Sequence, residues 1–179
     1  MKLEQLLLAI TLVLAMSPAK LVATTIDGSI NLYERPSLPL DEALTKAKEA
    51  LGREADKFVC TEAKSKKRAS GGGWGFFLKS ITLNTRYVEI DKSGKVVADN
   101  DAAPKGGQFK SAPSLSIEKA MAIATGTRKK PNRWYSLYAD WREQPNEWCV
   151  SLVNAHREEV YIYVDSKGNT REQKVPKWE

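Results

Sequence analysis

Large apolar residues alternate with other residues along short segments, and these segments come in two similar sets. Trp74 opens a segment in which Phe76 and Leu78 follow at every second position, and Val88 and Ile90 alternate in the next segment. Alternation of this kind predicts β-strands with one buried face. The second set repeats the pattern from Trp148, with the alternating apolar positions Val150, Leu152, Ile162 and Val164.

An aspartate turn follows each set, 17 residues after its tryptophan. The turns are Asp91–Gly94 and Asp165–Gly168. In such a turn the aspartate accepts backbone hydrogen bonds and the glycine adopts a positive φ. The matched spacing indicates that the chain contains an internal duplication.

A helical pattern precedes each set of strands. In the first, apolar residues at helical spacing are Leu40, Ala43, Ala47, Ala50 and Leu51. In the second, Ser116 is a suitable N-cap for a helix that we expect to run to about Thr125. A further strand is predicted between each helix and its tryptophan, at Lys57–Thr61 in the first set and Trp134–Ala139 in the second. The order helix, strand, strand, strand therefore occurs twice. We predict an α+β protein of two tandem units, in which each helix packs on one face of a three-stranded antiparallel sheet.

The predicted organisation divides the chain into six segments. These are a signal peptide (residues 1–23), a lead-in arm (24–37), a first unit (38–97), a linker (98–114), a second unit (115–170) and a tail (171–179). The linker is predicted because residues 97–114 are mainly polar and include several Gly and Pro residues.

The N-terminal segment has the features of an export signal. Lys2 precedes an apolar run from Leu6 to Met16, and Ala19 and Ala23 each mark a candidate cleavage site. The run is short for a membrane-spanning helix. We expect a secreted or periplasmic protein, and an uncleaved N-terminal segment would be its only membrane attachment.

Charge adds one candidate surface. The chain has 28 Lys and Arg residues against 22 Asp and Glu residues, a mild positive excess that suits an anionic partner or serves solubility. Export makes a nucleic-acid partner unexpected. A candidate anion patch precedes a run of glycines and consists of Lys64, Lys66, Lys67 and Arg68. The alternative for this segment is a solvated hairpin loop.

The cysteines and the histidine define the accessible chemistry. Cys60 and Cys149 are an even pair, and in an oxidising compartment such a pair favours a disulfide bond, although two separate buried thiols are the alternative. His156 is the only histidine, and no nucleophile or metal-ligand pattern surrounds it. We therefore predict no catalytic residues, no metal and no cofactor.

Aromatic residues supply a candidate partner surface. Several aromatic residues would lie in one of two places. They would lie on the sheet face opposite the helix, or they would lie between the two units and pack them together. They are Tyr87, Trp134, Tyr138, Trp141, Tyr161 and Tyr163.

The repeated motif resembles the PepSY-type module of exported bacterial proteins. In the first copy it is carried by Leu38, Leu40, Asp41, Ala43, Trp74, Phe76, Val88, Ile90, Asp91 and Gly94. In the second it is carried by Leu115, Ser116, Ile117, Glu118, Ala120, Trp148, Val150, Ile162, Val164, Asp165 and Gly168. The resemblance implies a helix packed on an antiparallel sheet of cystatin-like architecture. It also implies a non-catalytic role, in which peptidases are inhibited or chaperoned or the cell envelope is bound. The Gln-x-Val-x-Gly loop of protease-inhibiting cystatins does not occur in this chain.

Together these features predict an exported, non-catalytic binding or modulatory module that acts on a peptidase or an envelope component. Two alternatives remain. The first is a small ligand-binding protein or hydrolase that uses the aromatic sheet face. The second is a structural envelope protein.

Overall fold

The computed structural model describes residues 36–66, 72–80, 82, 84–102 and 111–174. Its α-helices are α1 (Leu40–Ala50) and α2 (Ile117–Gly126). Its strands are β1 (Val59–Ser65), β2 (Trp74–Lys79), β3 (Thr85–Ile90), β4 (Val96–Ala102), β5 (Trp134–Arg142), β6 (Glu147–Asn154), β7 (Glu159–Asp165) and β8 (Thr170–Lys174). A short 3₁₀ helix precedes β1 (Gly52–Lys57) and another precedes β5 (Pro131–Arg133).

All eight strands form one antiparallel sheet in the order β4-β3-β2-β1-β5-β6-β7-β8. The first strands of the two halves, β1 and β5, pair at its centre, where Ala63 lies opposite Ala139. The prediction of two tandem units with separate three-stranded sheets is therefore wrong. Each half contributes a helix and four strands to a single sheet.

The strands that the sequence did not reveal are the two edges, β4 and β8. The predicted linker, residues 98–114, begins inside β4, and the predicted tail, residues 171–179, begins inside β8. β4 carries the polar run Asp99–Asp101, and all five residues of β8 are exposed. Each edge strand is held by backbone pairing to one neighbour and buries little apolar surface, so it shows no apolar alternation.

Both helices pack on the same face of the sheet, and this face holds the hydrophobic core. Ala43, Leu44 and Ala47 of α1 join the same buried cluster as Ala120 and Ala124 of α2. The sheet supplies alternating residues to this cluster from six strands, including Phe58 just before β1: Phe58, Cys60, Ala63, Trp74, Phe76, Leu78, Val88, Ile90, Ala139, Trp141, Trp148, Val150, Leu152, Val160, Ile162 and Val164. Small alanines on each helix allow it to approach the sheet closely.

Each helix start is stabilised by local chemistry. The Ser116 hydroxyl accepts a hydrogen bond from the backbone N–H of Lys119 at the start of α2. In α1, Asp41 and Glu42 occupy the first turn, where negative charge stabilises the positive end of the helix dipole.

Two tryptophans connect the sheet to the segments that enter the helices. The indole Nε1 of Trp74 donates to the carbonyl oxygen of Leu38 at 2.9 Å, and that of Trp148 donates to Leu115 at 3.0 Å. Both tryptophans are almost fully buried. The prediction that they are matched core residues is confirmed.

The predicted signal peptide and nearly all of the lead-in arm lie outside the described residues. Among the residues that are described, no helix is long and apolar enough to cross a membrane.

Candidate functional site

The candidate site is the sheet face turned away from α1 and α2, which we call the open face. Strand alternation assigns its residues, because partners directly opposite each other in neighbouring strands share a face. Phe76 and Val88 are opposite partners in the core, so the next pair, Phe77 and Tyr87, lies on the open face. The described helices pack only on the core face.

Three tyrosines of the second half lie in two neighbouring rows of residues that cross the strands of the open face. In the first row, Tyr138 lies opposite Ser151, which lies opposite Tyr161. The second row crosses the same strands and reaches β8, and it consists of Asp140, Cys149, Tyr163 and Arg171.

Tyr163 is the best packed of these tyrosines. The guanidinium carbon of Arg171 lies 3.6 Å from its ring centroid and that of Arg142 lies 5.0 Å away, which are cation–π distances. Its hydroxyl hydrogen-bonds to Gln173 at 3.0 Å, and Arg171 also pairs with Glu147 at 2.6 Å. These contacts fix the ring and both arginines in one arrangement.

Burial and neighbouring carboxylates alter the pKa values in these rows. Burial, then the charge of Asp140, raises the pKa of Tyr138 well above its usual value. Burial, then Glu159, raises the pKa of Tyr161. Burial also raises the pKa of Cys149, although Arg142 and a hydrogen bond with Tyr163 oppose the rise. At neutral pH these two tyrosines and this thiol are therefore protonated and uncharged.

The first half carries a smaller cluster on the open face. The Lys66 ammonium lies 2.8 Å from Glu89 and 2.9 Å from the Tyr87 hydroxyl, which itself donates to Glu89 at 2.8 Å. Burial opposes the charge on Lys66, but these hydrogen bonds raise its pKa overall. A Cβ atom at Gly75 would lie 2.6 Å from the Tyr87 hydroxyl, so glycine leaves room for this ring.

The structure separates the predicted aromatic surface into two groups. Tyr87, Tyr138, Tyr161 and Tyr163 lie on the open face. Trp141 instead faces the core opposite Trp148, is buried, and donates to Asn146 at 3.2 Å.

Trp134 also leaves the predicted surface. It packs against the core beneath the Arg128 guanidinium, which lies 5.3 Å from its ring centroid. The two tryptophans were included because they share β5 with Tyr138. A bulge between Ser136 and Tyr138 in the pairing with β6 changes the alternation, so Trp134 faces the core although it is four residues from Tyr138. Trp141 is three residues from Tyr138 and faces the core by alternation alone.

The structure describes two of the four residues of the predicted anion patch. Lys66 is paired with Glu89, whereas Lys64 is exposed between Gly75 and Tyr138 on the open face. Lys67 and Arg68 lie outside the described residues.

The predicted disulfide bond is wrong for this fold. Cys60 and Cys149 are both free thiols. Cys60 faces the core opposite Leu78, whereas Cys149 faces the open face opposite Asp140 and Tyr163, with β5 between their strands. Side chains on opposite faces of a sheet cannot meet at bonding distance.

Sequence reasoning missed the charged members of the open face. Arg171 and Gln173 lie on β8, which was assigned to the tail, and Asp140 and Arg142 lie beyond the predicted end of β5. Within the part of the chain that the structure describes, no three His, Cys, Asp or Glu side chains are grouped closely enough to hold a metal ion.

The chain matches no protein-family profile, and no curated protein is detectably similar to it in sequence. Among solved structures, it is similar to a protein of Clostridium difficile 630 that is provisionally designated a lipoprotein. The two chains share 13% sequence identity with a TM-score of 0.48, and the match covers 80% of this chain and 96% of the other.

Proposed function

We propose that this chain is an exported, non-catalytic binding module that holds a protein partner on its open face. The observation that carries the proposal is the group of three tyrosines on β5 and β7, Tyr138, Tyr161 and Tyr163, bordered by Arg142 and Arg171. Tyrosine and arginine are the residues that most often dominate the binding energy of protein interfaces.

The charge arrangement of this face supports a protein rather than a polyanion as the ligand. Its shortest described ion pairs are Lys66 with Glu89 and Arg171 with Glu147. In each pair the positive and the negative charge both belong to this chain and cancel. A surface for nucleic acid or anionic lipid would present an excess of unpaired cations. Paired charges around aromatic rings instead fit a partner that carries its own polar and aromatic groups.

Rigidity also supports a binding role. The Tyr163 ring lies against two arginines, and the Ser151 hydroxyl donates to Glu159 at 2.7 Å. Side chains that are already fixed in place lose less conformational entropy when a partner binds.

The alternative of a small hydrolase depends on a carboxyl group held protonated near neutral pH. Asp91, Asp165 and Glu172 accept hydrogen bonds that lower the pKa values of their carboxyl groups, so none of these three is held protonated near neutral pH.

The class of partner follows from the sequence motifs. The resemblance of the two helix-cap and hairpin sets to PepSY-type modules supports an exported peptidase or an envelope component. The apolar run near the N-terminus supports a partner outside the cytoplasm.

Site-specific photo-crosslinking in the producing organism tests the proposal. A crosslinking amino acid replaces Tyr138 or Tyr161 on the open face, and a control replaces Lys48, which is exposed on α1. We expect the same partner to be crosslinked from both open-face positions and not from Lys48. No crosslink from the open face, or an identical pattern from all three positions, would reject the proposal.

Affinity gives a second test once the partner is isolated. Tyr161→Ala should weaken binding about tenfold or more, because a central interface tyrosine commonly contributes more than 1.4 kcal/mol. Lys48→Ala should leave affinity unchanged. A peptidase partner can then be assayed for loss of activity on addition of the protein.

A further inference from the structure

A basic pocket lies away from the open-face tyrosine rows, at the entrance to β5. It has a volume of about 850 Å³ and lies between the loop that leaves α2, the turn between β6 and β7, and Glu172 of β8. We call it the cation pocket. Its charged or ionisable lining residues are Arg128, Lys129, Lys130, Arg133, Tyr135, His156, Glu158 and Glu172.

The two acidic residues of the pocket already have partners. Glu172 accepts from Arg128 at 2.7 Å, and this hydrogen bond lowers the pKa of its carboxyl group. Glu158 accepts from the side-chain amide of Asn154 at 2.6 Å. Glu172 is therefore neutralised by Arg128, whereas Glu158 accepts from a neutral amide and keeps its charge. The lining still has an excess of positive charge, because Arg128, Lys129, Lys130 and Arg133 outnumber these two carboxylates.

Lys129, Lys130 and Arg133 remain without an ion pair among the described residues, and all three are exposed. Three cations within five consecutive residues repel one another. A multiply charged anion bound between them would remove that repulsion and supply acceptors for their N–H groups.

The pocket wall is held in place before any ligand binds. Arg128 lies over the Trp134 ring, pairs with Glu172 and donates to the Thr127 hydroxyl at 3.1 Å. The Thr127 hydroxyl in turn donates to the carbonyl of Ala124 at 2.7 Å. These contacts anchor the loop to the end of α2.

The first half provides an internal comparison. Its corresponding loop contains Arg53, Glu54, Asp56 and Lys57, so its charges balance, and Lys57 pairs with Glu54 at 3.4 Å. This balanced loop also joins a helix to the first strand of its half. A loop between helix and strand therefore does not need a cluster of cations to form. The excess positive charge of the second loop is not explained by its structural role.

We propose that the cation pocket binds a multiply charged anion of the phosphate class. Arg133 offers a planar fork of donors that suits phosphate oxygens, and the two lysines add positive charge beside it. Soluble phosphate compounds and phosphate headgroups of lipids share this chemistry. The pocket lies outside the tyrosine rows, so phosphate binding and partner binding can be tested separately.

Calorimetric titration of the exported protein with inorganic pyrophosphate at low ionic strength tests the soluble source. We expect saturable binding that is about tenfold weaker in Lys129→Gln/Lys130→Gln, the loss expected when charge-assisted hydrogen bonds are removed. The matched control is Arg53→Gln/Lys57→Gln, which removes the same charge from the corresponding loop and should bind as the unaltered protein does.

Cosedimentation with vesicles tests the lipid source. Binding to phosphatidylglycerol vesicles but not to phosphatidylcholine vesicles, with the same dependence on Lys129 and Lys130, would assign the site to a lipid headgroup. The substituted residues are exposed, so unchanged far-UV circular dichroism should show that every variant folds. The proposal is overturned if neither probe binds, or if both double variants lose binding equally.

Discussion

The two halves of the sheet contain the same two structural devices at matching positions. Each half has a buried tryptophan that donates from its indole to a leucine carbonyl before the helix. Each also has an aspartate turn in which the carboxylate accepts two backbone N–H groups, Ser93 and Lys95 in one and Lys167 and Asn169 in the other. The glycines of the turns have φ angles of 83° and 87°.

The halves differ where their side chains face solvent. On the open face, the first half has one cluster, in which Lys66, Tyr87 and Glu89 are joined by hydrogen bonds and an ion pair. The second half has the rows of tyrosines with two arginines on Tyr163. The loop after α1 is balanced in charge, whereas the loop after α2 is strongly basic.

The residues that maintain the fold and the residues of the candidate sites are distributed differently between the two halves. Residues that hold a helix onto the sheet match in both halves, because both helices pack into one shared core. Residues that could recognise another molecule are concentrated in the second half. Experiments on matched positions can therefore separate the scaffold from the proposed binding surfaces.

Replacing the matched tryptophans should have the largest effect. Trp74→Ala and Trp148→Ala should each lower the free energy of unfolding by about 3–5 kcal/mol, because each removes a large buried ring and leaves a cavity. Since the halves share one core, each variant should still unfold in a single transition. Urea denaturation followed by circular dichroism measures both quantities.

Phenylalanine variants refine this result. Trp74→Phe and Trp148→Phe keep most of the ring but lose the indole N–H bond, so each should lose less stability than its alanine counterpart. Two separate unfolding transitions, with only one midpoint shifted in a given variant, would show that the halves unfold independently. That result would contradict a shared core.

Overpacking the junction between the halves should have the next largest effect. Ala63 and Ala139 lie opposite each other at the β1–β5 pairing, and neither is exposed. Ala139→Leu should cost about 1–3 kcal/mol, because the added atoms have no space in a packed core. Ala122→Leu, at an exposed position of α2, is the control and should change stability little. Equal stability of the two variants would show that the junction is loosely packed.

The sequence was sufficient to predict the elements that contribute to the core. Both helices, the two tryptophans and the aspartate turns follow from local apolar spacing and turn chemistry. The edge strands β4 and β8 could not be recognised, because polar residues such as Asp99 and Gln173 are stabilised there by pairing with a neighbouring strand. The β1–β5 pairing joins residues that are far apart in sequence, and no local pattern records it.

The candidate site was predictable only in part, for the same reason. Tyr161 and Tyr163 lie on the face opposite the core, as the alternation of Val160, Ile162 and Val164 predicts, but Tyr163 is buried rather than exposed. Trp134 lies on the core face because a bulge shifts the register of β5 between it and Tyr138. Trp141 is three residues from Tyr138, so alternation alone places it on the core face, and its prediction on the same surface was wrong without any bulge. Arg171 was missed with its edge strand. The cation pocket is lined by loops from different parts of the second half, so its lining residues could be identified only from the folded structure.

The two aspartate turns should produce a smaller, pH-dependent effect. Hydrogen bonds from Ser93, then Lys95, lower the pKa of Asp91, and those from Asn169 lower the pKa of Asp165. A carboxyl group whose pKa is lowered by folding stabilises the protein above its unfolded value of about 4, and this stabilisation is lost as the pH falls through the folded value. Stability should therefore decline on acidification below about pH 4.

Asparagine variants test whether the turns cause this decline. Asp91→Asn/Asp165→Asn should be slightly less stable at neutral pH and should lose less stability on acidification, since neither turn then titrates. Melting temperatures across an acidic pH series measure the change. Asp56→Asn, which replaces an exposed carboxylate without a hydrogen-bond partner among the described residues, should leave the profile unchanged. An unaltered profile in the double variant would assign the decline to other carboxylates.

The smallest expected effect is that of a reductant, which should leave the melting temperature unchanged. Cys60 is buried in the core, where burial raises the pKa of its thiol, and Cys149 lies on the other face of the sheet. Joining them would require a strand to turn over, which would exchange every core residue of that strand for an open-face residue. Alkylation of the unfolded, unreduced protein should therefore modify both thiols in the intact mass. A chain lighter by two hydrogens that resists alkylation until it is reduced would show a bridge and would contradict the face assignment of at least one cysteine strand.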